Sequence, residues 1–252
     1  MRKRTITCMK CGCDISNYVS ALVLSFITPK YCYRCVEELK NKDKIEEEAS
    51  KISYLKNNSR IPKNILECDH HGTKLSKAQE ELYSKAKGVP SRGYYIWGAI
   101  GTGKSFIASK LLISYIENFH ECFFISANEL SPFNTANNKG SFLRDKLHSS
   151  SIVLIDDLGN HAVNQPMVST LIEAINLRLN SSYITIITSN SNPIDLARKF
   201  KSLGGERVDP VMCDALADRL IELCLPIKFD GKSFRVRSFL KELENIKGEK
   251  NE

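Results

Sequence analysis

Eight residues constrain this chain more than any others: GAIGTGKS at 98–105, set between an apolar run and a helix-like one. Glycine loses more backbone freedom on folding than any other residue, so three within six positions imply a turn that needs them. The pattern G-x-x-x-x-G-K-S between a strand and a helix makes a loop whose inward N–H groups surround a phosphate, with the positive helix end behind it. Gly98, Gly101, Thr102 and Gly103 would then shape the loop. Lys104 would reach the β- and γ-phosphates of ATP, and the Ser105 hydroxyl would bind Mg²⁺.

The flanking sequence predicts the fold such a loop requires. Near-continuous apolar, β-branched or aromatic runs at 94–97, 122–126, 152–155 and 184–188 read as buried strands, and 225–229 as a further, less continuous fifth strand. Residues 104–119, 165–179 and 193–200 read as helices, the last opened by Pro193. Strands alternating with helices predict an α/β fold with a parallel five-stranded sheet flanked by helices. One strand ends on two carboxylates: Asp156, suited to hold Mg²⁺ through water, and Asp157, suited to polarise an attacking water.

Five motifs together, GAIGTGKS (98–105), IVLIDDLG (152–159), TSN (188–190), ADRL (217–220) and GKSFR (231–235), resemble AAA+ ATPases of the DnaC/IstB type in order and spacing. That group contains bacterial replicative helicase loaders and transposition helper ATPases. The resemblance covers about residues 60–238 and implies an AAA+ P-loop NTPase core with no C-terminal lid. It also implies that Asn190 is the sensor 1 residue and that Arg219 is an arginine finger acting on a neighbouring subunit's nucleotide. Arg235 resembles sensor 2, with Arg237 as a rival. Asp157 stands where most AAA+ proteins carry Glu, so a shorter reach implies slow, assembly-dependent hydrolysis.

The N-terminus carries a second chemistry. Cys8-x-x-Cys11 and Cys32-x-x-Cys35 lie twenty residues apart, within the spacing of a four-cysteine Zn²⁺ site that is closed and therefore structural. Cys13 competes with Cys11 for one position. Residues 1–36 thus read as a zinc-binding module, 37–60 as a charged linker helix, 61–238 as the ATPase domain and 239–252 as a tail. A zinc module ahead of a loader ATPase resembles DnaI-type helicase loaders, whose N-terminal part engages the helicase. The surrounding Arg2, Lys3, Arg4, Lys10, Lys30 and Arg34 also allow nucleic acid there. Cys68, His70 and His71 read as linker residues rather than a second metal site.

Charge narrows the partners. The formal net charge is +7, and residues 1–60 hold twelve Lys/Arg against seven Asp/Glu, a surplus compatible with a polyanion. The longest apolar run, 21–28, is too short to cross a bilayer, so the expectation is a cytoplasmic protein with no membrane partner. The family resemblance implies single-stranded DNA in an ATP-dependent oligomer, and a DnaB-like hexameric replicative helicase as the protein partner. Phe133, Lys139, Phe142, Arg144 and Lys146 are candidate DNA contacts. Two alternatives stand beside the loader: an IstB-like helper acting with a transposase on duplex DNA, and a non-hydrolysing zinc-bearing DNA-binding adaptor.

Overall fold

The computed structural model describes residues 7–14, 31–67, 80, 82, 90–130, 138–160, 163–231, 233–236 and 239–240, with side chains omitted at 138–140. The chain divides into two compact units, Met1–Ser53 and Tyr54–Glu252.

In the first unit an antiparallel bridge joins Thr7 to Asp14, and a tight turn returns Gly12 N–H to the Cys8 carbonyl at 2.9 Å. Helix α1 (Tyr33–Asn58) follows. It begins four residues before the expected start at 37, so Cys35 lies in its first turn. Its exposed Lys and Glu form (i, i+4) pairs at Lys42–Glu46 and Lys44–Glu48, which support a helix with little apolar surface to bury. Lys10 Nζ reaches Glu38 at 2.9 Å, and Arg34 reaches the same carboxylate at 3.2 Å.

The second unit takes in the last residues of α1, continues with a single turn, α2 (Lys63–Leu66), and is built on a sheet. The strands are β1 (Gly93–Gly98), β2 (Cys122–Ser126), β3 (Ile152–Leu158), β4 (Ile184–Ser189) and β5 (Cys224–Phe229). Their order is β2-β3-β4-β1-β5 and every pairing is parallel. The predicted α/β architecture is therefore present, with β1 near the middle of the sheet.

Helices cover both faces: α3 (Lys104–Glu117), α4 (Asn138–Ser149), α5 (Gln165–Leu179), α6 (Pro193–Gly204) and α7 (Pro210–Leu223). Side chains alternate across a strand, so Tyr95, Phe123, Ile125, Val153, Ile155 and Ile187 share one face. There they join Met167, Leu171, Leu196, Phe200, Leu216 and Leu220 in one apolar cluster. The opposite face receives α3, which packs on β1, β3 and β4 and buries Ile107, Leu111, Leu112 and Tyr115. Each such burial contributes about 1.5–3 kcal/mol.

Helices α4 and α7 go beyond the sequence expectation. The start of α7 was nonetheless written in the chain, since Asp209 caps Val211 N–H at 2.8 Å and Pro210 takes the first turn. The same device opens α5 at Asn164 and α6 at Asn192.

One buried cation ties the far end of this unit together. Arg178, 1% exposed, donates to Thr185 Oγ1 at 2.6 Å and to the carbonyls of Leu147 (3.0 Å), Ser150 (2.9 Å) and Ile184. Burial lowers its pKa to about 10, which leaves it charged at neutral pH.

Candidate functional site

The predicted phosphate loop connects β1 directly to α3. Gly98 closes β1, where a Cβ would stand 2.1 Å from the Phe229 carbonyl oxygen of β5. Gly101 has φ +80°, and a Cβ there would meet Ser233 Oγ at 2.1 Å. Both positions therefore exclude side chains by close approach as well as by backbone conformation. The carbonyl of Gly101 accepts Phe234 N–H at 2.9 Å, so the segment after β5 lies against the loop. Gly103 is the N-cap of α3. Thr102 Oγ1 donates to the Ala99 carbonyl at 2.9 Å and holds the turn from within.

Lys104 is 7% exposed, and its ammonium donates to the carbonyls of Gly98 (2.9 Å) and Ala99 (2.7 Å). Burial lowers its pKa, while the charges of Asp157 and Asp156 oppose that shift. The cation thus faces the loop's own neutral oxygens, which phosphate oxygens can replace.

The acidic pair lies opposite. Strand β3 leaves register with β4 between Ile155 and Leu158, and Asp157 takes φ +61°. Thr188 of β4 fills the irregularity: its hydroxyl donates to Asp156 Oδ1 at 2.6 Å and accepts Asp157 N–H at 2.8 Å. Asn160 donates its side-chain amide to Asp157 Oδ1 and accepts from Lys199 Nζ at 3.3 Å. Asn190 follows at the tip of β4, between two fixed neighbours. Ser189 Oγ donates to Leu158 O at 2.7 Å, and the buried Tyr95 hydroxyl donates to Ser191 O at 2.8 Å.

A cleft of about 390 Å³ collects these groups: Gly101, Gly103, Lys104, Ser105, Asp156, Asp157, Asn190 and Arg235, together with Ile100, Phe106, Asn160 and Phe234. Gly98 and Thr102 shape the loop from outside that lining. Arg219 lies elsewhere, exposed on α7 and paired with Glu222 at 2.9 Å. Sequence reasoning did not name Thr188 as a site residue, although it quoted TSN, and it missed Asn160. The signal for Thr188 is a hydroxyl near the end of a β-branched run, followed at once by Ser189 and Asn190.

Chain placement explains why one cleft receives so much. In a parallel sheet all strand ends point the same way, and ligands bind beyond the carboxyl ends of the strands. Here β1 delivers the loop, β3 the acids, β4 Asn190 and the segment after β5 Arg235.

The thiols form a separate cluster in the first unit. Sγ atoms of Cys8, Cys11, Cys13 and Cys32 all lie within 4.8 Å of one another. Cys11 and Cys32 are 3.7 Å apart, close to the roughly 3.8 Å edge of a tetrahedron with Zn–S bonds of about 2.3 Å. Cys11 and Cys13 are 3.3 Å apart. The spacing argument took Cys35 as the fourth ligand, whereas geometry gathers Cys13 into the compact set. The turn at Gly12, with Cys8 N–H bonded to Cys13 O at 2.9 Å, brings both later thiols back to Cys8. Cys35 stays adjacent, its N–H directed at Cys32 Sγ at 3.5 Å. Four sulfurs without a carboxylate form a donor set for a soft metal ion.

Other expected positions are less concentrated. Phe142 is 48% exposed and packs edge-on against Phe123, and Lys146 is paired with Glu121 at 2.7 Å. Arg144 is partly exposed. Phe133, the Lys139 side chain, Cys68, His70, His71, Lys30, Arg237 and residues 2–4 lie outside the described residues. Among the described residues no helix is long and apolar enough to cross a membrane.

The profile of the family described as IstB-like ATP binding protein matches residues 91–242, the stretch that carries the sheet and the cleft. The chain belongs to this family. The chain is thus an AAA+ P-loop protein of the DnaC/IstB type, in a family described as ATP-binding. Over 152 residues it is 24% identical to the replicative helicase loader DnaI of Bacillus subtilis strain 168, covering 57% of this chain and 48% of that protein. The chain therefore spans about half the length of the curated relative it matches. Its fold is similar to a crystal structure of DnaI (TM-score 0.54, 17% identity, 69% of this chain and 94% of that one). It is also similar to a crystal structure of the DnaC helicase loader (TM-score 0.53, 14% identity, 67% and 100%).

Proposed function

We propose that this chain is a helicase-loading ATPase: it binds ATP-Mg²⁺ in the cleft, self-associates, engages single-stranded DNA and helps place a hexameric replicative helicase. The observation that carries this is the convergence of Lys104, Ser105, Asp156, Asp157, Asn190 and Arg235 on one cleft of an ATP-binding family member. Ser105 and Asp156 would hold the magnesium ion, which neutralises charge on the phosphates. Asp157 would orient water, and its short side chain, engaged by Asn160, supports slow turnover that suits a switch on assembly. Similarity to a replicative helicase loader supports the partner class.

Arg219 would act in trans. Its place on the α7 surface, outside its own cleft, is the placement an intersubunit arginine needs. Specific turnover of the wild type is then expected to rise with protein concentration, and Arg219→Ala is expected to lose most of it, about a hundredfold at saturating protein. An Arg219→Ala protein as fast as wild type at every concentration removes the intersubunit role.

The family's IstB description favours a second reading, a transposition helper. Co-purification separates the two: a hexameric replicative helicase retained in the presence of ATP supports loading, and a transposase retained instead overturns it.

The thiol cluster would hold one structural Zn²⁺. Metal analysis is expected to give one equivalent of zinc, lost in Cys8→Ser/Cys32→Ser. Comparing Cys13→Ser with Cys35→Ser identifies the fourth ligand, since only the true ligand's loss lowers zinc affinity strongly. Folded wild-type protein free of metal, or carrying iron, ends this assignment.

A further inference from the structure

We infer that Thr188 is a positioning residue for the magnesium-binding side of the cleft, setting Asp156 and Asp157 through a single hydroxyl. This rests on the ATPase reading above and goes beyond it, since the side chain does not line the cleft.

The geometry is specific. Thr188 is 1% exposed and lies at the end of β4, where Ile187 still pairs with Ile155 but Ser189 already pairs with Leu158. Two β3 residues, Asp156 and Asp157, therefore face one β4 residue. A bulge of this kind leaves a backbone group without its ladder partner. Here the group is Asp157 N–H, and Thr188 Oγ1 accepts it at 2.8 Å. A hydroxyl has one proton to give, and this one goes to Asp156 Oδ1 at 2.6 Å. One oxygen atom thus fixes the orientation of the first carboxylate and the peptide of the second. Side chains that orient metal-binding groups in this way are worth roughly ten- to a hundredfold in metal affinity.

The alternative is a buried threonine that only fills space. Valine has the same outline without donor or acceptor, and serine keeps the hydroxyl while losing the methyl group. The two substitutions therefore pull the roles apart.

The experiment titrates MgCl₂ into full-length, zinc-replete protein with a ribose-labelled fluorescent ATP analogue. It reads the magnesium concentration at half-maximal tightening of nucleotide binding. Thermal unfolding of each variant is recorded alongside. For Thr188→Val the midpoint is expected to rise about tenfold, with nucleotide affinity in EDTA within about twofold of wild type. Thr188→Ser is expected to return most of the way to the wild-type midpoint. A Thr188→Val midpoint equal to wild type overturns the inference, as does Thr188→Ser shifting as far as Thr188→Val. Should Thr188→Val fail to fold, Thr188→Cys, whose thiol is a weak donor, carries the same comparison: a raised midpoint supports the inference and an unmoved one overturns it. Wild-type protein that binds no magnesium-nucleotide would instead sink the ATPase reading, and this inference with it, a result distinct from a silent Thr188→Val.

Discussion

Nucleotide affinity is expected to fall at least about a hundredfold, and ATP turnover to vanish, when Lys104 is replaced by alanine. The loop around it is held by other means: glycines packed against Phe229 and Ser233, and the Thr102 hydroxyl on Ala99 O. The fold should therefore survive the change. What is lost is an ammonium at the base of the cleft whose acceptors are two neutral carbonyls of the loop. A triphosphate offers it charged oxygens instead, and a charge-assisted hydrogen bond is about twice as strong as a neutral one. Fluorescence titration with labelled ATP, together with phosphate release, reads both effects. A Lys104→Ala protein that binds ATP like wild type would mean that the cleft is not the nucleotide site.

The largest expected effect on stability comes from a residue far from that chemistry. Arg178→Met should cost roughly 3–5 kcal/mol, because several buried acceptors lose their donor at once. The Leu147 carbonyl lies in the last turn of α4 and that of Ser150 just beyond it, so the guanidinium also sits at the negative end of a helix dipole. Its Cζ lies 5.5 Å from the Tyr183 ring centroid. Lysine cannot replace it, since one ammonium cannot span acceptors on α4, on β4 and in the turn between α4 and β3. Thermal unfolding should show a loss on the order of 10 °C for Arg178→Met and a partial recovery for Arg178→Lys. A melting temperature close to wild type would show that water or repacking satisfies those carbonyls.

Much of this is legible in the amino-acid sequence. The strands could be read because a sheet covered on both faces needs near-continuous apolar runs, and 94–97 and 152–155 are such runs. The loop could be read because its glycines and lysine keep the spacing that a strand-to-helix phosphate loop requires. What local pattern does not encode is contact between strands. Thr188 meets Asp156 only because β4 lies beside β3, and that neighbour relation follows from sheet order. Arg178 falls in a run that reads only as helix, and its burial depends on where α4 ends. For the cysteines, spacing identified a four-thiol site, but the turn at Gly12 decides which thiols gather.

One irregular peptide has a wider consequence. In an even strand Asp156 and Asp157 would project to opposite sides of the sheet, and one of them would be lost to the cleft. The break in pairing with β4 is what lets neighbouring acids work on a shared target. Its conformational cost is concentrated at residue 157, which holds a left-handed backbone geometry that glycine would accept freely. Glycine there would relax the strand and deliver no carboxylate, so at this position backbone ease and the acidity of the cleft point to different amino acids.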